Sequence, residues 1–178
     1  MAEHADAGGG FTVEGYACLF NVTDLGRDMV LPGAFARSLM RQGAGGVRML
    51  YQHDPAEPIG VWTHVVEDAR GLYVRGHLSP RVARARECAA LVEEGALDGL
   101  SIGFKAVEAH TDPRSRVRRL SRIDLWEVSI VTFPMQPGAR ITGATSAHVP
   151  VSDGSQMALP SLALASAMGR LRASLNGG

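Results

Sequence analysis

Residues 97–104 read Leu-Asp-Gly-Leu-Ser-Ile-Gly-Phe, and their alternation narrows the folds open to this chain. Leu100, Ile102 and Phe104 fall on one side of an extended segment, while Gly99, Ser101 and Gly103 fall on the other. A half-buried strand is expected, presenting one hydroxyl between two residues that have no side chain. Glycine inside a strand often marks a place where another backbone comes close. Gly99 and Gly103 are therefore read as substrate-binding positions, clearing a lane for an extended peptide over Ser101. The same residues satisfy Gly-x-Ser-x-Gly, the nucleophile motif of α/β-hydrolases. That motif needs a helix directly after the serine, whereas Gly103-Phe104-Lys105-Ala106-Val107-Glu108 continues the alternation. The chain also lacks the repeated strand–helix alternation of a parallel sheet. A mainly β chain with a few helices (α+β) follows.

The remaining patterns agree with that class. Strands are expected over Phe11–Phe20, Val47–His53, Ile59–Val66, Gly71–Leu78 and Ile123–Phe133, with Asp54-Pro55 ending the second and Pro134 and Pro137 following the last. Asn21–Asp28 reads as a loop. Ala34–Met40 reads as a short helix, and Ser79-Pro80 as the start of a second one with an apolar stripe at Val82, Ala85, Ala89 and Val92. Arg116, Arg118, Arg119 and Arg122 read as a solvated hairpin. Residues 1–10 read as a disordered lead-in, 143–156 as a Ser/Gly/Pro-rich linker, and 157–178 as a helical tail.

Composition removes several function classes. The 178 residues carry 18 basic and 18 acidic side chains, so net charge points to neither nucleic acid nor a membrane surface. No apolar run approaches the ~20 residues of a membrane span. Cys18 and Cys88 lack metal-motif spacing and are too few for a disulfide scaffold, which favours a reducing cytoplasm. His53, Asp54, His64 and His77 match no compact ligand motif, so no metal and no cofactor are expected.

A serine hydroxyl is a poor nucleophile unless a base lies within hydrogen-bond reach and a third group orients that base. His53, at the end of a strand, is the candidate base. Glu127 stands in the apolar strand Leu125-Trp126-Glu127-Val128-Ser129-Ile130-Val131, and a carboxylate so placed either faces water or holds a partner. His64 and His77 compete for the orienting role.

These residues carry a resemblance. Gly15-Tyr16-Ala17 with Phe20-Asn21, Pro32-Gly33-Ala34-Phe35, Gln52-His53-Asp54 with Ile59-Gly60, Gly71-Leu72-Tyr73-Val74, Leu100-Ser101-Ile102-Gly103-Phe104 and Leu125–Val131 with Pro134 occur in an order that resembles the HK97-type phage prohead (capsid maturation) proteases. The resemblance spans residues 11–142. It implies a serine endopeptidase with a herpesvirus-assemblin-like β-barrel and flanking helices. It carries the catalytic serine and histidine over to Ser101 and His53, with Glu127 as third member and Asp124 and His77 behind it. The oxyanion donors are left open, with the loop near Arg116–Arg119 as one candidate. The implied partners are the major capsid protein and its scaffold segment as peptide substrates, with self-cleavage in the linker, and homo-oligomerisation stays open. The implied place is the assembling procapsid in the bacterial host cytoplasm, whether of a phage or of a phage-derived gene transfer agent. The alternative is a non-catalytic capsid or scaffold assembly component with the same β-barrel core.

Overall fold

The computed structural model describes residues 10–146. The strands are β1 (Phe11–Leu19), β2 (Asp28–Val30), β3 (Arg48–Tyr51), β4 (Asp54–Glu67), β5 (Gly71–Leu78), β6 (Gly99–Thr111), β7 (Arg118–Val131) and β8 (Ile141–Ser146). The helices are α1 (Ala36–Gln42) and α2 (Ala83–Glu93). One sheet runs β2-β7-β3-β4-β5-β1-β8, and β6 pairs with β7 as well. The β3–β7 and β2–β7 pairs are parallel and the others antiparallel.

The sheet curls because its apolar faces need a common interior. Val13, Ile59, Val74, Leu100, Leu125 and Ile130 all point inward and are fully buried. Residues 139–141 then join the two ends of the curl. Arg140 C=O accepts from Tyr16 N–H of β1 at 3.2 Å, while Ala139 C=O accepts from Leu100 N–H of β6 at 3.0 Å. An incompletely closed barrel results, zipped at one end of this seam. Helix α1 lies against β7, with Ser38 Oγ accepting from Leu125 N–H and Gln42 Nε2 donating to Leu125 C=O.

Several sequence expectations change here. The loop expected at Asn21–Asp28 ends in β2, which adds a strand beside Arg118–Leu120 of β7. The arginine run keeps the expected hairpin, with Arg116 in the turn between β6 and β7 and Arg118, Arg119 and Arg122 on β7. Asp54-Pro55 does not end a strand but opens β4, because the β3–β4 register slips on both sides of Leu50 and spares the prolines a regular ladder. The second helix starts at Ala83, not at Ser79-Pro80. Ser79 N–H is taken by Ile59 C=O of the sheet, and Val82 is still extended. The linker expected from residue 143 overlaps β8, which pairs with β1 through Ser146. The expected lead-in (to residue 9), the rest of the linker and the helical tail lie outside the described residues.

Candidate active site

Strand β7 sits between β6 and β3 and collects the candidate residues from both. On the β6 side, Ser101 is directly opposite Ser129 and Gly103 directly opposite Glu127. Opposed residues share a face with Cβ atoms about 4.5–5.5 Å apart, so Ser101, Gly103, Glu127 and Ser129 form one cluster outside the barrel. The register breaks between Gly103 and Phe104, which pair with Glu127 and Leu125. Trp126 is the extra residue of that bulge. Through it, Leu125 and Val128 are both buried while Glu127 stays on the outer face.

On the β3 side the chain reverses at Tyr51-Gln52-His53-Asp54, where Tyr51 and Asp54 are paired. Gln52 and His53 have φ of 54° and 61°, the positive values that a type I′ hairpin turn requires at both central residues. Neither is glycine, so the turn carries strain of order 1–3 kcal/mol per residue. It is pinned by Gln52, whose Nε2 donates to Thr132 Oγ1 at 2.7 Å and whose Oε1 accepts from Thr132 N–H at 3.2 Å. Gln52 N–H also donates to Ile130 C=O.

The turn delivers His53 to Glu127. Nδ1 lies 2.6 Å from Glu127 Oε1, and a carboxylate can only accept, so Nδ1 carries a proton and, in the neutral ring, Nε2 is the acceptor. Glu127 Oε2 accepts from Ser129 Oγ at 2.6 Å, and the same Oγ accepts from His53 N–H at 3.1 Å. The acid is 8% exposed with both oxygens satisfied, as a buried carboxylate requires. The bond to Glu127 raises the His53 pKa above its ordinary value, and partial burial of the ring works against that. Ser101 is 5% exposed and borders a cavity of about 160 Å³. Its hydroxyl makes no hydrogen bond to another described residue, so the pair and the serine are neighbours across one strand without a closed link. Such links are often long in unliganded sites.

The other candidates lie elsewhere. Asp124 is engaged by Arg41 and Ser38, and the guanidinium holds its carboxyl below the usual range. His77 on β5 shares a hydrogen bond with Thr12, and β3 and β4 separate its strand from β7. His64 is exposed beside Thr63. The Arg116–Arg119 loop cannot reach Ser101, because Arg118 pairs with Thr111, ten residues or roughly 33 Å further along β6. The open lane at the glycines is not there either. A Cβ on Gly103 would run into Glu127 Oε1, and one on Gly99 into Val131 C=O and the Pro134 ring. Gly103 is bare to admit the acid. Among the described residues no three His, Cys, Asp or Glu side chains converge as metal ligands.

Sequence reasoning noted Ser129 without giving it a role. The usable signal was its i+2 spacing from Glu127, since a buried carboxylate needs donors for both oxygens and a strand puts i+2 on the same face.

Comparison with known structures gives the same architecture. The herpesvirus KSHV protease, solved with a hexapeptide phosphonate inhibitor, superposes with a TM-score of 0.51 at 14% identity, over 78% of this chain and 65% of that one. The capsid assembly protease of bacteriophage T4 gives 0.53 at 14% identity, over 68% and 81%. In sequence, the chain is 39% identical to the prohead protease of Enterobacteria phage HK97 over 136 residues, 75% of this chain and 60% of that protein. A capsid polyprotein of Pseudomonas phage PAJU2 is 32% identical over 109 residues, 56% of this chain and 16% of the relative. The chain thus spans less than two thirds of the length of either of these two relatives. The model of the caudovirus prohead serine proteases matches residues 1–152, and the chain belongs to that family.

Proposed function

We propose that this chain is a serine endopeptidase in which Ser101 is the nucleophile, His53 the general base and acid, and Glu127 the group that orients the imidazole. The observation that carries the reading is the 2.6 Å bond between His53 Nδ1 and a nearly buried Glu127, one strand away from Ser101. Glu127 keeps the proton on Nδ1, so Nε2 accepts the Ser101 proton as Oγ attacks a peptide carbonyl. The imidazolium, steadied by the carboxylate, then protonates the leaving amine. Water releases the acyl group by the reverse sequence of proton transfers.

The peptide lies along the outer edge of β6. Leu100 N–H points away from β7 to Ala139 C=O. By the alternation of an antiparallel pair, the N–H and C=O of Ile102 point the same way, and among the described residues β6 has only β7 as a ladder partner there. An extended substrate adds as a strand at that edge. The relatives named prohead protease and capsid assembly protease support a capsid protein and its scaffold segment as substrates, cut inside the assembling procapsid, with the enzyme itself as a further target.

The test is co-expression with the cognate coat protein, wild type against Ser101→Ala, followed by intact mass spectrometry. A shortened coat N-terminus is expected with the wild type only. The same N-terminus in both would leave a structural capsid component as the reading.

A further inference from the structure

The seam of the barrel is zipped only as far as Leu100. Beyond it, Ala17 of β1 faces Ile102 and Phe104 of β6 across the cavity that Ser101 borders. Val30 and Met135 complete its apolar walls. The cavity is pre-formed, because Gln136 ties the adjoining loop down. Its Nε2 donates to Leu19 C=O and Val22 C=O, both at 3.0 Å, and Oε1 accepts from Leu19 N–H.

Resting on the peptidase reading above, we infer that this cavity is a specificity pocket for one uncharged aliphatic side chain, of Val to Met size, on a residue flanking the scissile bond. At about 160 Å³ it is well below the ~300–1,000 Å³ of whole-ligand pockets and suits a single side chain. It touches both Ser101 and the open β6 edge, so a peptide paired there directs alternate side chains toward it. Two carboxylates also border the cavity. Asp28 is held by Arg118 in a two-bond fork, and Asp24 accepts the Asp28 N–H at 2.8 Å. Each already has donors, so neither recruits a substrate cation, and neither offers an acidic side chain the donor that it needs when desolvated.

The test measures binding, without turnover, of blocked Ala-Ala-X-Ala-Ala peptides to full-length Ser101→Ala protein, with X as Ala, Leu, Met, Lys or Glu. The anchor residue chooses its own register. Leu and Met should bind about tenfold tighter than Ala, as burial of such a side chain predicts, with Glu weakest. Ala17→Leu fills the cavity and should erase the Leu preference; Met135→Trp at the half-exposed rim serves the same end if the first variant does not fold. Equal binding of all peptides, tighter binding of Lys or Glu, or a Leu preference that survives both fillings overturns the pocket. Wild-type cleavage of the Leu peptide is assayed separately. A Leu preference in binding without cleavage would sustain the pocket and count against the peptidase, and cleavage without the preference would do the reverse.

Discussion

At the scale of single residues, the proposed chemistry rests on one imidazole whose properties come from its neighbour. Glu127 raises the His53 pKa through its hydrogen bond, and desolvation of the ring pulls the other way. As a base His53 must be neutral, so the acid limb of kcat/KM should lie above the ~6.5 of an ordinary histidine. Glu127→Gln removes the carboxylate charge and leaves at most a neutral amide acceptor against desolvation, so the limb should move down toward the ordinary value. Loss of the correct tautomer should lower kcat by roughly 10³–10⁴. A pH–rate profile of the two proteins checks both. An acid limb that stays in place in the variant would detach Glu127 from the base. Stability follows the same linkage. A raised folded-state pKa stabilises fully below the unfolded value, and that contribution fades as pH rises through the folded one.

At the scale of elements, the reaching device is the β3–β4 turn. Gln52 and His53 hold a backbone conformation that glycine would adopt more readily, and the Gln52 amide, bonded twice to Thr132, offsets that strain. Gln52→Ala should therefore cost about 1–2 kcal/mol of stability, read as a lower urea midpoint. It should cost kcat disproportionately, because a base displaced by about 1 Å loses on the order of 10²-fold. An unchanged kcat in a destabilised variant would mean that the turn holds its shape without the clamp. The strands themselves were legible in the sequence. Alternation over 11–20 and 99–104 predicted β1 and the start of β6, because one-sided burial in a curled sheet imposes a period of two. The start of α2 was not, since Ser79-Pro80 is a good local helix entry that a sheet hydrogen bond to Ile59 overrides.

At the scale of the whole molecule, closing the sheet around one interior leaves its thiols inert. Cys18 and Cys88 are buried and free, and burial pushes each thiol up to about 12. A thiolate is the reactive form, so iodoacetamide under native conditions should leave both unmodified and peptidase activity unchanged. Rapid labelling with loss of activity would point to a cysteine in the chemistry. The curl also explains why the site is composite. Ser101, His53 and Glu127 stand on three adjacent segments separated by dozens of residues in the chain. Only the pairing of β7 with both β6 and β3 makes them neighbours.

The sequence alone determined the mainly β class, the strand carrying Ser101, and Glu127 as a residue needing a partner, because these follow from local periodicity and from the cost of placing a charge in an apolar strand. Tertiary structure decided which acid meets the histidine, turning Asp124 to Arg41 and His77 to Thr12. It also decided that Gly103 makes room for Glu127 instead of for a substrate, and that Ser129 joins acid and base. The physical reason is register. Which side chains share a face across strands far apart in sequence depends on pairing and on one bulge at Trp126, and neither leaves a mark on any single stretch of the chain.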